Sequence, residues 1–151
     1  MIVRTNIHRH IMKIQNKCFV CARERHRKLI ETAEMLSTFH IALAYHQDDI
    51  AETLLLNMFY AGRISTLMPR QSVVQERFFL IRPLYYLNKD KIAAIARASG
   101  IPTFDITCPY YRNSRREIIR GLLGKLKQKN PDIYRNIFGS VFNIRKQYMP
   151  S

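Results

Sequence analysis

Residues 40–62 read HIALAYHQDDIAETLLLNMFYAG, and the order of side-chain types in this stretch decides the fold class. His40 to Tyr45 is a short, nearly continuous apolar run, the pattern of a strand buried on both faces in a parallel sheet. From Ile50 onward the apolar residues recur at helical spacing: Ile50, Leu54 and Met58 beside Ala51, Leu55 and Phe59. Gly62 is placed to end that helix in a left-handed conformation. A strand running straight into a helix is an α/β unit. Its junction, His46-Gln47-Asp48-Asp49, falls at the carboxyl end of the sheet, where open α/β folds bind ligands.

Working outward, Ala22 to Leu36 sets Leu29, Ile30, Ala33 and Leu36 on one stripe of an amphipathic helix. Leu67-Met68-Pro69 opens a loop, and Phe78 to Tyr86 is a second strand-like run in which Pro83 marks an edge strand or a strand end. Asn88 can cap a helix carrying Ile92, Ile95 and Ala96 that stops before Gly100 and Pro102. Ser114 to Glu117 has capping-box spacing, and Ile118, Leu122 and Leu126 continue at four-residue intervals. Asn130-Pro131 reads as an N-cap and first helical residue, followed by Ile133, Ile137, Phe138 and Val141. The sum is a helix-rich α/β chain of about five helices and one or two strands, fewer strands than a complete α/β sheet carries. A basic N-terminal segment, residues 1–17, precedes the remainder, residues 18–151.

The chain has 151 residues, 47% of them hydrophobic and 24% charged, which suits one globular domain. No stretch approaches the roughly 18 uninterrupted apolar residues of a membrane helix, and the N-terminus lacks the apolar core of a secretory signal. A soluble, cytoplasmic protein with no membrane partner is expected. The net charge is +14 and the pI about 10.2. Residues 1–30 hold eight basic and one acidic side chain, residues 31–107 seven and eight, and residues 108–151 ten and two. Two basic ends around a neutral middle fit a polyanion bound by counterion release better than a merely soluble surface.

Three features could carry chemistry. Asp48, Asp49 and Glu52 at a strand–helix junction could hold Mg²⁺ against nucleotide phosphates, which takes one or two carboxylates. The same spacing is that of a capping box, with Asp49 at the N-cap and Glu52 at N3, and spacing alone favours that reading. Cys18 and Cys21 form a CxxC, and Cys108 stands far away; an odd count without a signal peptide argues against a disulfide framework. Zinc would need a fourth ligand such as His26 or His46, an iron–sulfur cluster on three thiolates would leave one iron open, and a buried Cys108 beside a lone CxxC is the plain alternative. Finally, Arg23, Arg25, Arg27 and Lys28 follow the CxxC, and Arg112, Arg115, Arg116 and Arg120 follow Cys108. Such cations favour thiolate and attract a phosphate backbone, and Tyr110 and Tyr111 could stack on an unstacked base.

Taken in order, these motifs resemble one family. CxxC-x-Arg-x-Arg from Cys18 to Arg25, His-x-Asp-Asp-x-x-Glu-Thr-x-Leu-Leu-Asn from His46 to Asn57, Phe59-Tyr60-x-Gly62, Met68-Pro69, Arg82-Pro83-Leu84 and a late Cys108 resemble the tRNA 2-thiocytidine synthetase family of PP-loop ATPases, from about Cys18 to the C-terminus. The resemblance implies a partial adenine nucleotide α-hydrolase-like fold and a [4Fe-4S] cluster. It implies adenylation of an anticodon-loop cytidine by ATP and Mg²⁺, followed by replacement of oxygen with sulfur. Cys18, Cys21 and Cys108 match the cluster cysteines, Asp48 and Asp49 the acidic pair near nucleotide and substrate, and the arginine-rich segments the tRNA-contacting surfaces.

The sequence departs from the family pattern at three places. Tyr111 stands three residues after Cys108 where the family has a second cysteine, Tyr45 replaces the first histidine of His-His-x-Asp-Asp, and the Ser-Gly-Gly-x-Asp-Ser phosphate loop is absent, for there is no Gly-Gly in the sequence. The chain thus resembles the C-terminal half of the family, is expected not to hydrolyse ATP alone, and is expected to associate with a polypeptide carrying the phosphate-loop half or with itself. The competing readings are a non-catalytic basic RNA-binding module, or a related PP-loop enzyme that thiolates uridine or forms lysidine.

Overall fold

A computed structural model describes residues 3–12, 14, 16–103, 108, 110 and 114–148. Among these are α1 (Ile7–Ile11), α2 (Lys17–Met35), β1 (His40–Ala42), α3 (Gln47–Ala61), β2 (Arg70–Val73), β3 (Phe78–Ile81), α4 (Lys89–Ala98), α5 (Arg115–Lys129) and α6 (Ile133–Ser140), with a 3-10 turn at Lys146–Tyr148. The chain is the helix-rich α/β protein that residues 40–62 predict, with one more helix and one more strand than expected.

The sheet runs in the order β1-β3-β2. β1 and β3 are parallel, with Ile41 opposite Leu80, and β2 pairs antiparallel with β3. The expected roles of the two apolar runs are therefore exchanged. Phe78–Ile81 is the central strand, and Pro83 lies beyond its end, where a missing N–H costs no ladder bond. His40–Ala42 is at an edge, and only Ile41 is buried while His40 and Ala42 are exposed. The run after Ala42 leaves the strand, although the Leu43 N–H still donates to the Ile81 carbonyl. β2 was invisible in the polar sequence Arg70-Gln71-Ser72-Val73, and the link to β3 bends through Val74, Gln75 and Glu76 at positive φ without a glycine.

Two apolar clusters hold the fold. Ala33 of α2 packs with Ile41, Phe78 and Leu80, with Leu29 and Ile30 against them, so α2 covers one face of the sheet. α2 begins at Lys17, so the CxxC forms its first turn instead of preceding it, and Leu36 is exposed. In the second cluster Ile50 of α3 packs with Tyr85 and Phe138 of α6, the two rings 5.4 Å apart. Tyr85 donates its hydroxyl proton to the Leu67 carbonyl at 3.1 Å. Gly62 ends α3 at φ +60, the left-handed conformation foreseen for it.

α5 buries a different stripe from the one expected. Ile119 and Leu123 are 1% and 0% exposed, whereas Ile118, Leu122 and Leu126 face outward. Ser114 does cap it, accepting from the Glu117 N–H. α4 is capped by Asn88 as expected. α6 starts two residues later than the Asn130-Pro131 reading, with Asp132 at its N-cap.

Candidate functional site

The junction of β1 and α3 places His46, Asp48 and Asp49 together at the carboxyl end of β1. The N-cap is His46, not Asp49: the His46 N–H donates to the Asp49 carboxylate at 3.2 Å, so Asp49 occupies the N3 side of a capping box. His46 Nε2 lies 3.3 Å from the same carboxylate. The second Asp49 oxygen faces two guanidinium groups, Arg116 at 3.6 Å and Arg120 at 3.7 Å. One turn on, Glu52 is 3% exposed and takes Arg120 Nε at 2.6 Å and Arg116 Nε at 3.8 Å. Arg116 also reaches the Thr53 hydroxyl at 3.3 Å. Asp49, Glu52, Arg116 and Arg120 thus form a single ion cluster that locks α5 onto α3.

This arrangement separates the two aspartates chemically. Asp49 is charge-compensated and hydrogen-bonded. Asp48 has no arginine partner among the described residues; one of its oxygens accepts the Lys89 N–H at the start of α4 at 3.2 Å. That oxygen lies 3.9 Å from His46 Nδ1, a buried nitrogen with no hydrogen-bond partner among the described residues. Asp48 and the orphaned His46 nitrogen are therefore the polar groups here with capacity for a ligand. Arg116 and Arg120, expected on an RNA surface, are each a little over a third exposed and point at these acids. Arg115 stacks over the Tyr60 ring at 4.7 Å. Arg112 and Tyr111 lie outside the described residues.

The three cysteines carry free thiols. Cys21 and Cys108 line one cavity of about 720 Å³ together with Arg25, Lys28 and Tyr110. The Cys18 thiol lies 4.0 Å from the Tyr110 carbonyl oxygen, and Lys17 sits over the Tyr110 ring at 4.9 Å. α2 brings this about because residues three apart share a helix face, which aligns Cys18 with Cys21. Among the described residues no group of three or more His, Cys, Asp or Glu side chains is drawn together tightly enough for a metal ion. A cluster of several irons is wider than one ion and takes thiols set further apart. Two free thiols on one cavity, with Cys18 one helical turn from Cys21 and beside the Tyr110 carbonyl, and cations to offset thiolate charge, fit that donor set.

Arg82 is a functional-site neighbour that sequence reasoning used only as part of a motif. It is buried, donates to the Met68 carbonyl and to Gln71 at 3.4 Å, and lies over the Tyr45 ring at 5.6 Å, so it ties the 65–69 loop to the end of β3. Burial lowers its pKa, and the Tyr45 and Tyr85 hydroxyls act against that. Its place directly after the run FFLI was the available signal. Nearby on α2, His26 has its pKa lowered by burial and then by Arg25 and Arg82.

The sequence profile of the PP-loop domain matches residues 2–126. The chain belongs to the PP-loop domain family. Among curated relatives of this PP-loop chain, the tRNA-cytidine(32) 2-sulfurtransferase of Nitrosospira multiformis is 32% identical over 144 residues, covering 95% of this chain and 48% of the relative. The protein of the same name from Cupriavidus necator is 34% identical over 128 residues, covering 84% of this chain and 41% of the relative. The chain therefore spans about half the length of the curated relatives it matches. Among solved structures, the U34-tRNA thiolase NcsA from Methanococcus maripaludis with its [4Fe-4S] cluster superposes with a TM-score of 0.67 at 18% identity, covering 92% of this chain and 47% of that one. At that identity the likeness shows the shared fold alone.

Proposed function

We propose that this PP-loop chain is the cluster-bearing part of a tRNA sulfurtransferase that 2-thiolates an anticodon-loop cytidine. The observation that supports the reading is that Cys21 and Cys108 share one cavity, while Cys18, on the next turn of α2, lies 4.0 Å from the carbonyl of Tyr110, two residues after Cys108. Cys18, Cys21 and Cys108 would hold a [4Fe-4S] cluster through three thiolates, and the cluster would supply the sulfur-transfer chemistry. Arg25 and Lys28, lining the same cavity, attract the phosphates of the RNA and balance the thiolate charge. Asp48, with His46 beside it, is the carboxylate suited to a Mg²⁺ that also binds nucleotide phosphates, while Asp49 serves the helix N-terminus and the arginines. A phosphate-loop half from outside these residues supplies ATP binding. Cytidine is favoured over uridine because relatives 31–34% identical are named for cytidine, and the uridine thiolase is 18% identical. A protein acting on tRNA is expected in the cytoplasm.

The test is nucleoside mass spectrometry of unmodified tRNA incubated anaerobically with iron- and sulfide-reconstituted chain, ATP, Mg²⁺, a sulfide source and a separately expressed phosphate-loop half. The expected product is 2-thiocytidine, dependent on both polypeptides. Thiouridine, lysidine or no modification would refute the assignment.

A further inference from the structure

α1 and the residues before it pack on α2 and supply Val3, Thr5, Ile7 and Ile11 to the wall of the thiol cavity. Between α1 and α2 lies a second cavity of about 420 Å³, with Arg4 and His10 from the N-terminal side and Arg23, Arg27, Lys28 and one carboxylate, Glu24, from α2 in its lining. α2 sorts its cations by face. Arg25 lines the thiol cavity, Arg23 and Arg27 line this one, and Lys28 lines both, so the two cavities adjoin.

Charge pairing inside the cleft is incomplete. Arg27 is held by Glu24 at 2.7 Å and Lys28 by Glu31 at 2.6 Å. Arg23 has its carboxylate, the same Glu24, only at 3.9 Å, and Arg4 makes no ion pair among the described residues. Arg4 and Arg23, both exposed at the mouth of the cavity, are thus left with charge for an external anion. The cavity is the size of a small-ligand site, but it is open and basic in the way of a backbone-binding groove.

We propose that this cleft holds a phosphodiester segment of an RNA strand, with Arg4 and Arg23 on its phosphates and the strand continuing past Lys28 into the thiol cavity. The inference rests on the tRNA reading above. Such contacts fix the register of the strand without reading its bases.

The test is fluorescence anisotropy of an end-labelled anticodon stem-loop RNA with the whole chain over a range of salt. Arg4→Glu/Arg23→Glu is expected to weaken binding at least ~10-fold and to make the slope of log affinity against log salt shallower by about 1.4, the value for two single-strand phosphate contacts. Arg4→Gln/Arg23→Gln should fall between that and wild type, with an unchanged melting temperature showing that the fold is intact. Lys125→Glu/Lys129→Glu on α5 makes the same charge change elsewhere and should cost less than about threefold. An equal loss in the α5 variant, or an unchanged slope in the cleft variant, would overturn the proposal. Displacement of the RNA by inorganic phosphate or ATP, with that binding lost in the cleft variant, would overturn it in favour of a free-phosphate site. If wild type binds no RNA at any salt, the tRNA reading fails with it; if wild type binds and the cleft variants match it, the cleft assignment alone fails.

Discussion

Arg120→Met probes the ion cluster that joins α3 to α5. Glu52 is 3% exposed, and Arg120 Nε is its hydrogen-bonded partner at 2.6 Å, while Arg116 stands at 3.8 Å and leaves the second Glu52 oxygen without a hydrogen bond. Removing Arg120 keeps the buried carboxylate and takes away its close cation. Breaking a buried pair in this way costs about 3–5 kcal/mol, and the lower end applies because Arg116 remains. At roughly 2–4 °C per kcal/mol for a domain of this size, the melting temperature should fall by about 6–12 °C. Glu52→Gln leaves guanidinium groups that are over a third exposed and can turn to water, so it should cost only about 1–2 kcal/mol. The double variant should cost about 1–2 kcal/mol less than the sum of the two singles. Thermal and urea unfolding by circular dichroism measures all three. Additive effects, or a loss under ~0.5 kcal/mol for Arg120→Met, would show that the cluster does not hold α5 and would return Arg120 to the nucleic-acid surface.

Asp49→Asn should destabilise the fold by about 2 kcal/mol through loss of its arginine pairs. Asp48→Asn should cost under ~1 kcal/mol yet abolish Mg²⁺-dependent turnover in the two-component assay; equal effects on stability would erase the distinction between the two aspartates. Leu123→Ala, at a fully buried site, should cost about 2–5 kcal/mol against under ~1 for Leu122→Ala, and unfolding curves that reverse this order would misplace the buried face of α5. His26 has a folded pKa below its ordinary 6.5, so the unfolded chain binds the proton first and stability falls as pH drops below about 6.5. His26→Gln should therefore lose less stability than wild type between about pH 7.5 and 5.5, and identical pH dependences would refute the assignment.

How much was legible in the sequence follows from what each pattern can encode. Residues 40–62 gave strand, junction and helix because the period changes from continuous to helical within one stretch, and Gly62 marks the end. The same apolar run says that a strand is covered but not on which side, and only Ile41 is covered here, by α2. In α5 the pairs Ile118-Ile119 and Leu122-Leu123 offer two apolar stripes one residue apart. The choice between them is made by Arg116 and Arg120, which share a face with Ile119 and Leu123 and are drawn to Asp49 and Glu52. That attraction is a long-range event, 68 residues apart for Arg120 and Glu52, and no local period contains it. It also explains why a run of arginines that reads as an RNA surface divides, with Arg116 and Arg120 turned inward. The cysteine triad could be named from resemblance, but that Cys21 and Cys108 line one cavity, with Cys18 at 4.0 Å from the Tyr110 carbonyl, is a long-range arrangement that no local pattern contains.

The most direct test of the account is anaerobic reconstitution of the chain with iron and sulfide, followed by visible absorption and iron and sulfide analysis. The account predicts a broad visible band with four irons and four sulfides per chain, the [4Fe-4S] stoichiometry, lost in each of Cys18→Ser, Cys21→Ser and Cys108→Ser. No band in the wild-type chain, or a band that survives in Cys108→Ser, would contradict it.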